Sequence, residues 1–247
     1  VNSGTAGLHL TVRAAGIGAG DLVLTTPFSF VASTNALLFE NAVPVYVDVD
    51  PVTGNMDPVL LAEAARDLMT GGKAAQKWLP RRTSGNGRLK AILPVDVFGQ
   101  PVDWDPINAV AREYGLKVIE DSCEALGATY KNKKAGRFGD FGLFAFYPNK
   151  QMTTGEGGII ITDDEQSANF MRALRNQGRA PGDTWLSHTY LGYNYRLDEM
   201  SAALGIAQLR RMDEMLAKRE AVAGWYAQGL AGIPGIEVPR VAPGTTR

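Results

Sequence analysis

Lys150 stands where an amine can do carbonyl chemistry. The stretch Phe144-Ala145-Phe146-Tyr147-Pro148-Asn149-Lys150 reads as a strand ending in aromatics and then a Pro-containing turn that presents the lysine, and Thr153-Thr154-Gly155-Glu156-Gly157-Gly158 leads into another strand. Ligand-binding loops of open α/β sheets lie at the carboxyl ends of strands. An amine held there can attack a carbonyl as a Schiff-base nucleophile, although a solvated loop lysine has the same local sequence.

A second element is Val118-Ile119-Glu120-Asp121, an apolar strand ending in two acids, with Glu124 three residues on. Alternate residues of a strand point to opposite faces, so Glu120 and Asp121 cannot both face one cavity. The acid that does face it could coordinate a metal, serve as a base or pair with a protonated ring nitrogen, and a plain helix cap reads equally well. Metal ligation is not expected, because His9, His188 and the single Cys123 leave no cluster to support it. The third element, Asn2-Ser3-Gly4-Thr5-Ala6 before a helix, offers backbone amides and hydroxyls to an anion such as phosphate, or a simple N-cap. The fourth, Thr26-Pro27-Phe28-Ser29-Phe30, places two aromatics just after a strand, one suited to the core and the other to stacking on a planar ring. Gly16-Ile17-Gly18-Ala19-Gly20 follows a helix rather than a strand, so it reads as a helix stop and not as a dinucleotide fingerprint.

These residues need a scaffold, and the pattern supplies an α/β one. Short β-branched runs at 22–25, 44–48, 91–96, 117–120, 143–146 and 158–162 alternate with helical periods at 5–15, 31–40, 58–68, 106–114 and 165–175. Continuous rather than alternating apolar character in the strands predicts a mostly parallel sheet buried on both faces. Between Leu197 and Leu230, apolar residues at helical spacing predict one long amphipathic helix or a pair, packed on the sheet in preference to a surface kept for a partner. Residues 71–88, with five basic residues and Trp78 but little periodicity, read as a surface loop that could meet a polyanion.

Composition sets the outer limits. With 247 residues the chain is large enough for one or two domains, and 25 basic against 26 acidic residues give a net charge of −1, so no global field for nucleic acid exists. No apolar run approaches the ~20 residues of a membrane span, and one cysteine excludes an internal disulfide framework; a cytoplasmic location is expected. The chain lacks an initiator Met and ends in a polar loop, which reads as a piece of a longer polypeptide.

In their order along the chain, these elements resemble the nucleotide-sugar aminotransferases of the DegT/StrS type, pyridoxal-phosphate enzymes of fold type I. The resemblance runs from Ser3-Gly4-Thr5-Ala6 through Pro94-Val95-Asp96-Val97-Phe98-Gly99-Gln100, Glu120-Asp121, Lys150 and Gly155-Glu156-Gly157-Gly158 to Gly192-Tyr193-Asn194-Tyr195-Arg196. It implies a large cofactor domain over residues 1–196, its N-terminal segment missing, and a helical region over 197–247 that starts a smaller C-terminal domain. It implies Lys150 as the catalytic internal-aldimine lysine and proton carrier, and Asp121 as partner of the pyridinium nitrogen. Phe30 would stack on the ring, with Phe28 the lesser candidate, and Gly4, Thr5 and Ala6 would hold the phosphate. Asn194 would reach the phosphate of a neighbouring subunit's cofactor, which implies a homodimer with shared active sites. Glu124 would lie near the cofactor's phenolic oxygen.

Three residues depart from the family pattern: Ala145 where a phosphate-binding Ser is frequent, Glu124 where Gln is frequent, and Asp96 where His is frequent. The implied reaction moves an amino group from an amino acid, glutamate in most of the family, to a keto group of a nucleotide-linked deoxysugar. Such a step belongs to amino-sugar, antibiotic or cell-surface polysaccharide biosynthesis. Glu124 and Asp96 could help select the sugar, and the 71–88 loop could meet the nucleotide diphosphate. A non-catalytic pyridoxal-phosphate-binding regulator of the same fold is the alternative.

Overall fold

A computed structural model describes residues 1–81, 83 and 87–247. In chain order the elements are α1 (Gly4–Ala14), β1 (Leu22–Thr25), α2 (Ala32–Phe39), β2 (Val43–Tyr46), α3 (Pro58–Thr70), α4 (Gly72–Gln76), β3 (Leu89–Leu93), α5 (Trp104–Tyr114), β4 (Lys117–Asp121), β5 (Thr129–Tyr130), β6 (Lys133–Lys134), β7 (Phe141–Ala145), β8 (Gly158–Ile161), α6 (Glu165–Arg175), α7 (Glu199–Leu209), α8 (Met212–Leu230) and β9 (Thr245–Thr246). Their ends follow local chemistry. Asp57 caps α3 by accepting from the amides of Val59 and Leu60, with Pro58 at the first helical position. Gly115, in the left-handed region at φ 65°, stops α5.

Six strands form the central sheet in the order β2-β1-β3-β4-β7-β8, parallel throughout except for the antiparallel β7–β8 pair. Both faces are covered, as the continuous apolar strands predict. Along β1, Val23 joins a core cluster with Leu8 and Leu10 of α1 and Leu174 of α6, while Leu22 and Leu24 join one with Leu61 of α3 and Ile107 of α5. The chain leaves β1 toward β2 and returns to β3 on the other side, so the strand order reverses between β1 and β3. Ligands of open α/β sheets bind outside the carboxyl ends at such a reversal.

The structure departs from the sequence expectation in two places. The 197–230 stretch is a helix pair, but its apolar residues do not pack on the sheet: Met212 is the buried residue of α8, α7 has none, and Met200 is 84% exposed. Helical periodicity specifies an apolar face but not what covers it. Residues 71–88 are not all loop, because Gly72–Gln76 forms α4, and Lys77 bonds to Glu63 and Asp67 of α3. The remainder of that basic stretch lies partly outside the described residues. A small sheet, β6-β5-β9, also went unread, two-residue strands being too short to show a period.

Candidate active site

The carboxyl ends of β1, β3, β4 and β7 converge on one face. After β4, Asp121 is buried, 4% exposed, and its side chain turns away from that of Glu120 as strand alternation requires. Asp121 Oδ2 accepts from the Ser33 hydroxyl at 2.7 Å and Oδ1 from the Cys123 amide at 3.2 Å. Among the described residues it makes no ion pair, so a buried carboxylate stands with hydrogen bonds but no cation.

Lys150 follows β7, its side chain 16% exposed, and Nζ lies 3.1 Å from Glu124 Oε1. The other Glu124 oxygen accepts from the Phe98 amide at 2.9 Å. Phe98 sits at φ 53° in the tight turn after β3 and meets Phe28 edge-on, ring centroids 5.7 Å apart. Phe28 is thereby engaged with protein, whereas Phe30 is 75% exposed and presents a free ring. Phe30 is tied to the Asp121 side of the site, since its carbonyl accepts from Ser33 N and Ser29 Oγ.

Gly4 opens α1 directly beneath β7. A Cβ there would fall 2.7 Å from the Ala145 Cβ and 3.3 Å from Cys123 Sγ, so only glycine fits. Ser3 Oγ accepts the Ala6 amide at 3.1 Å. Of the three residues expected to hold a phosphate, Gly4 and Thr5 therefore keep first-turn amides for an anion, while the Ala6 amide is already used by the cap. Asn194 does not join this group: it is exposed on an extended segment, with its carbonyl accepting from Asn2 Nδ2 at 3.3 Å. The structure thus brings together Lys150, Glu124, Asp121, Phe30 and Gly4–Thr5, and leaves Asn194 outside.

Two contributors escaped the sequence reading. Ser33 holds Asp121 across 88 positions, and Arg219 of α8 donates to the Lys150 carbonyl at 2.7 Å across 69. Nothing local marks either residue.

Asp96 explains itself through hydrogen-bond counting. Its Oδ1 accepts from the Val102 amide at 2.9 Å, and Oδ2 lies 2.7 Å from Ser122 Oγ, which is also 3.0 Å from Glu120 Oε1. One hydroxyl hydrogen cannot serve two carboxylates. Glu120 receives three further donors, the amides of Gly136, Phe138 and Gly139. Burial, and then the nearby Glu120 charge, pushes the Asp96 carboxyl well above the ordinary range. Asp96 is therefore the acid that holds a proton, donating to Ser122, which donates to Glu120.

The unfolded chain loses that proton near pH 4 and the folded chain keeps it, so this residue makes stability fall as pH rises above about 4. Asp96→Asn offers the same donor and acceptor, so urea titrations at pH 5 and 8 should show it losing less stability over that interval than the parent. Asp96→Ala, which strands the Val102 amide, should cost about 1–3 kcal/mol.

A groove of about 580 Å³ between α3 and α5, lined by Pro58, Arg66, Val110 and Tyr114 among others, shares no residue with this cluster. No group of three or more His, Cys, Asp or Glu residues able to hold a metal occurs among the described residues.

The arrangement fits pyridoxal 5'-phosphate. A strand-end amine, an open aromatic ring on the Asp121 side, an uncompensated buried carboxylate suited to a protonated ring nitrogen, and a glycine-opened helix N-terminus are the donor set such a group requires.

Comparison with known proteins agrees. The model of the DegT/DnrJ/EryC1/StrS aminotransferase family matches residues 1–247. The chain is 46% identical over 230 residues to the GDP-perosamine synthase of Caulobacter vibrioides, covering 93% of this chain and 56% of that protein. It is 38% identical to the putative pyridoxal phosphate-dependent aminotransferase EpsN of Bacillus subtilis, covering 100% and 60%. The X-ray structure of S. venezuelae DesV superposes with a TM-score of 0.84 at 36% identity, covering 100% of this chain and 60% of that one. The chain thus spans less than two thirds of the length of these proteins. Its fold is that of the type I pyridoxal-phosphate aminotransferases. The chain belongs to the DegT/DnrJ/EryC1/StrS aminotransferase family.

Proposed function

We propose that this chain is the cofactor-binding part of a pyridoxal-phosphate-dependent aminotransferase that moves an amino group from an amino acid, glutamate, to a keto group of a nucleotide-linked deoxysugar. The observation that carries the reading is the buried, unpaired Asp121 carboxylate facing the same cluster as the Lys150 amine. The sugar-nucleotide substrate is supported by the name of the Caulobacter relative, GDP-perosamine synthase. Residues 1–196 would form the cofactor domain and 197–247 the start of a smaller one. The working form would be a cytoplasmic homodimer, and no helix of the described chain is long and apolar enough to cross a membrane.

When bound, the cofactor supplies an electron sink for the charge that develops at the substrate carbon. The chain's own residues do the rest. Asp121 holds the proton on the ring nitrogen, and its burial strengthens that pairing. Phe30 gives one face of the ring an apolar cover, and the Gly4 and Thr5 amides hold the phosphate. Lys150 Nζ takes the proton from the nitrogen-bearing carbon of the amino donor in the first half of the reaction and delivers one to the keto carbon of the acceptor in the second, with Glu124 orienting the amine between turns.

The test supplies glutamate alone to the cofactor-loaded full-length protein, and then a panel of nucleotide-linked keto sugars. Release of one equivalent of 2-oxoglutarate followed by aminated sugar is expected. Binding of the cofactor with no conversion of any amino donor would instead favour the regulator.

A further inference from the structure

The Gly192-Tyr193-Asn194-Tyr195-Arg196 stretch is held from one side by a polar cluster that the chemistry described so far does not use. His9, on α1 and 5% exposed, places Nε2 2.7 Å from Glu40 Oε1 and Nδ1 3.1 Å from the Tyr195 hydroxyl. A carboxylate only accepts, so Nε2 carries a hydrogen and donates to Glu40, while Nδ1 shares a hydrogen bond with the Tyr195 hydroxyl. Arg13, one helical turn on, donates to the Tyr193 hydroxyl at 2.5 Å and lies 3.6 Å from Glu40 Oε2. The two tyrosine rings stack with centroids 4.8 Å apart at 11°. Burial pushes both phenols above their ordinary range, so they stay neutral hydrogen-bonding groups.

Side chains of an extended segment alternate, so fixing residues 193 and 195 on one face points residue 194 to the other. The exposure pattern follows: Tyr193 and Tyr195 are half-buried and Asn194 between them is exposed. The backbone is held as well, with the amides of Tyr193 and Tyr195 donating to the Leu174 and Arg175 carbonyls at the end of α6 at 2.6 and 3.0 Å. The clamp joins α1, whose first turn carries the Gly4–Thr5 anion site, to the segment that carries Asn194.

We infer that His9, Arg13 and Glu40 are positioning residues that clamp Tyr193 and Tyr195, so that Asn194 is presented outward in one orientation to the cofactor phosphate of a second copy of the chain. The inference rests on the proposed reading of Asn194 in a shared site. Its energetic logic is preorganisation: a side chain already held in its binding orientation loses less entropy when it binds.

Tyr195→Phe removes one hydroxyl and Glu40→Gln one charge, each at nearly constant volume, so both variants should fold. Two measurements on the full-length protein are needed: amide hydrogen exchange at residues 193–195 without cofactor, and pyridoxal phosphate affinity by titration of the apo-protein. Exchange should rise at least about tenfold, and affinity should fall roughly five- to tenfold, the worth of one hydrogen bond. In an Asn194→Ala background the same substitutions should change affinity no further, since the clamp acts through Asn194. Unchanged exchange, or an affinity loss of equal size with Asn194 already gone, overturns the clamp. An Asn194→Ala protein with parental affinity overturns the reading of Asn194 beneath it, and raised exchange in the two variants would then mark the cluster as structural only.

Discussion

The Lys150→Ala protein should lack the cofactor-dependent visible band that borohydride bleaches in the parent and should retain no cofactor after reduction and washing, and its transamination rate should fall by at least about 10²–10⁴-fold, the worth of the proton transfer alone. The fold should survive. Lys150 is on a turn, its contact within the site is Glu124, and that glutamate is one third exposed, so losing the pair should cost within about 1 kcal/mol in a urea titration. This separation of chemistry from stability is what makes the experiment decisive. A variant that keeps its chromophore would make Lys150 an ordinary turn residue. A variant that unfolds would make the Lys150–Glu124 pair a structural contact, since the substitution leaves the Lys150 carbonyl that Arg219 donates to in place.

Asp121→Asn should lower cofactor affinity and kcat/KM together by roughly 10²–10⁴-fold, corresponding to the about 3–5 kcal/mol lost when one member of a buried charge pair is removed. The amide is nearly the same size. Its oxygen can keep the Cys123 amide, and the Ser33 hydroxyl can turn to accept from the new NH2 group, so the local structure should hold. Asp121→Ala is the contrasting variant. It leaves the Ser33 hydroxyl and the Cys123 amide without their partner, at about 1–3 kcal/mol each, and should lower stability as well as function. Equal cofactor affinity in Asp121→Asn and the parent would show that the buried carboxylate does not meet a cation, and the proposed site would fail with it.

The scaffold of this site is legible in the sequence to the extent that its signals are local. Strands buried on both faces are apolar along most of their length, so the runs at 22–25 and 143–146 stand out, the second beginning two residues inside β7 and ending one residue past it. The Pro-containing turn carrying Lys150 lies beside the glycine loop that leads into β8, and Asp121 closes β4 without interruption. What escapes is whatever depends on distance along the chain. Phe98, whose amide donates to Glu124, adopts a positive φ in the turn after β3, and nothing in Val97-Phe98-Gly99 announces it. Likewise α7 and α8 have the periodicity of core helices but lie largely exposed, because an apolar stripe is the same whether its cover comes from this chain or another.

The sequence by itself determined the α/β class, the presence of an amine at one strand end and an acid at another, and the separation of Glu120 from Asp121 by strand alternation. Only the tertiary structure decided that Ser33 and not a cation satisfies Asp121, that Ser3 occupies the Ala6 amide, that Asp96 shares its proton with Ser122, and that Asn194 is exposed outside the Lys150 cluster. The reason is physical. Alternation, capping and apolar runs act over a few residues and are written in neighbouring side chains, whereas the partner of a buried polar group is chosen by which strand ends the sheet order brings together.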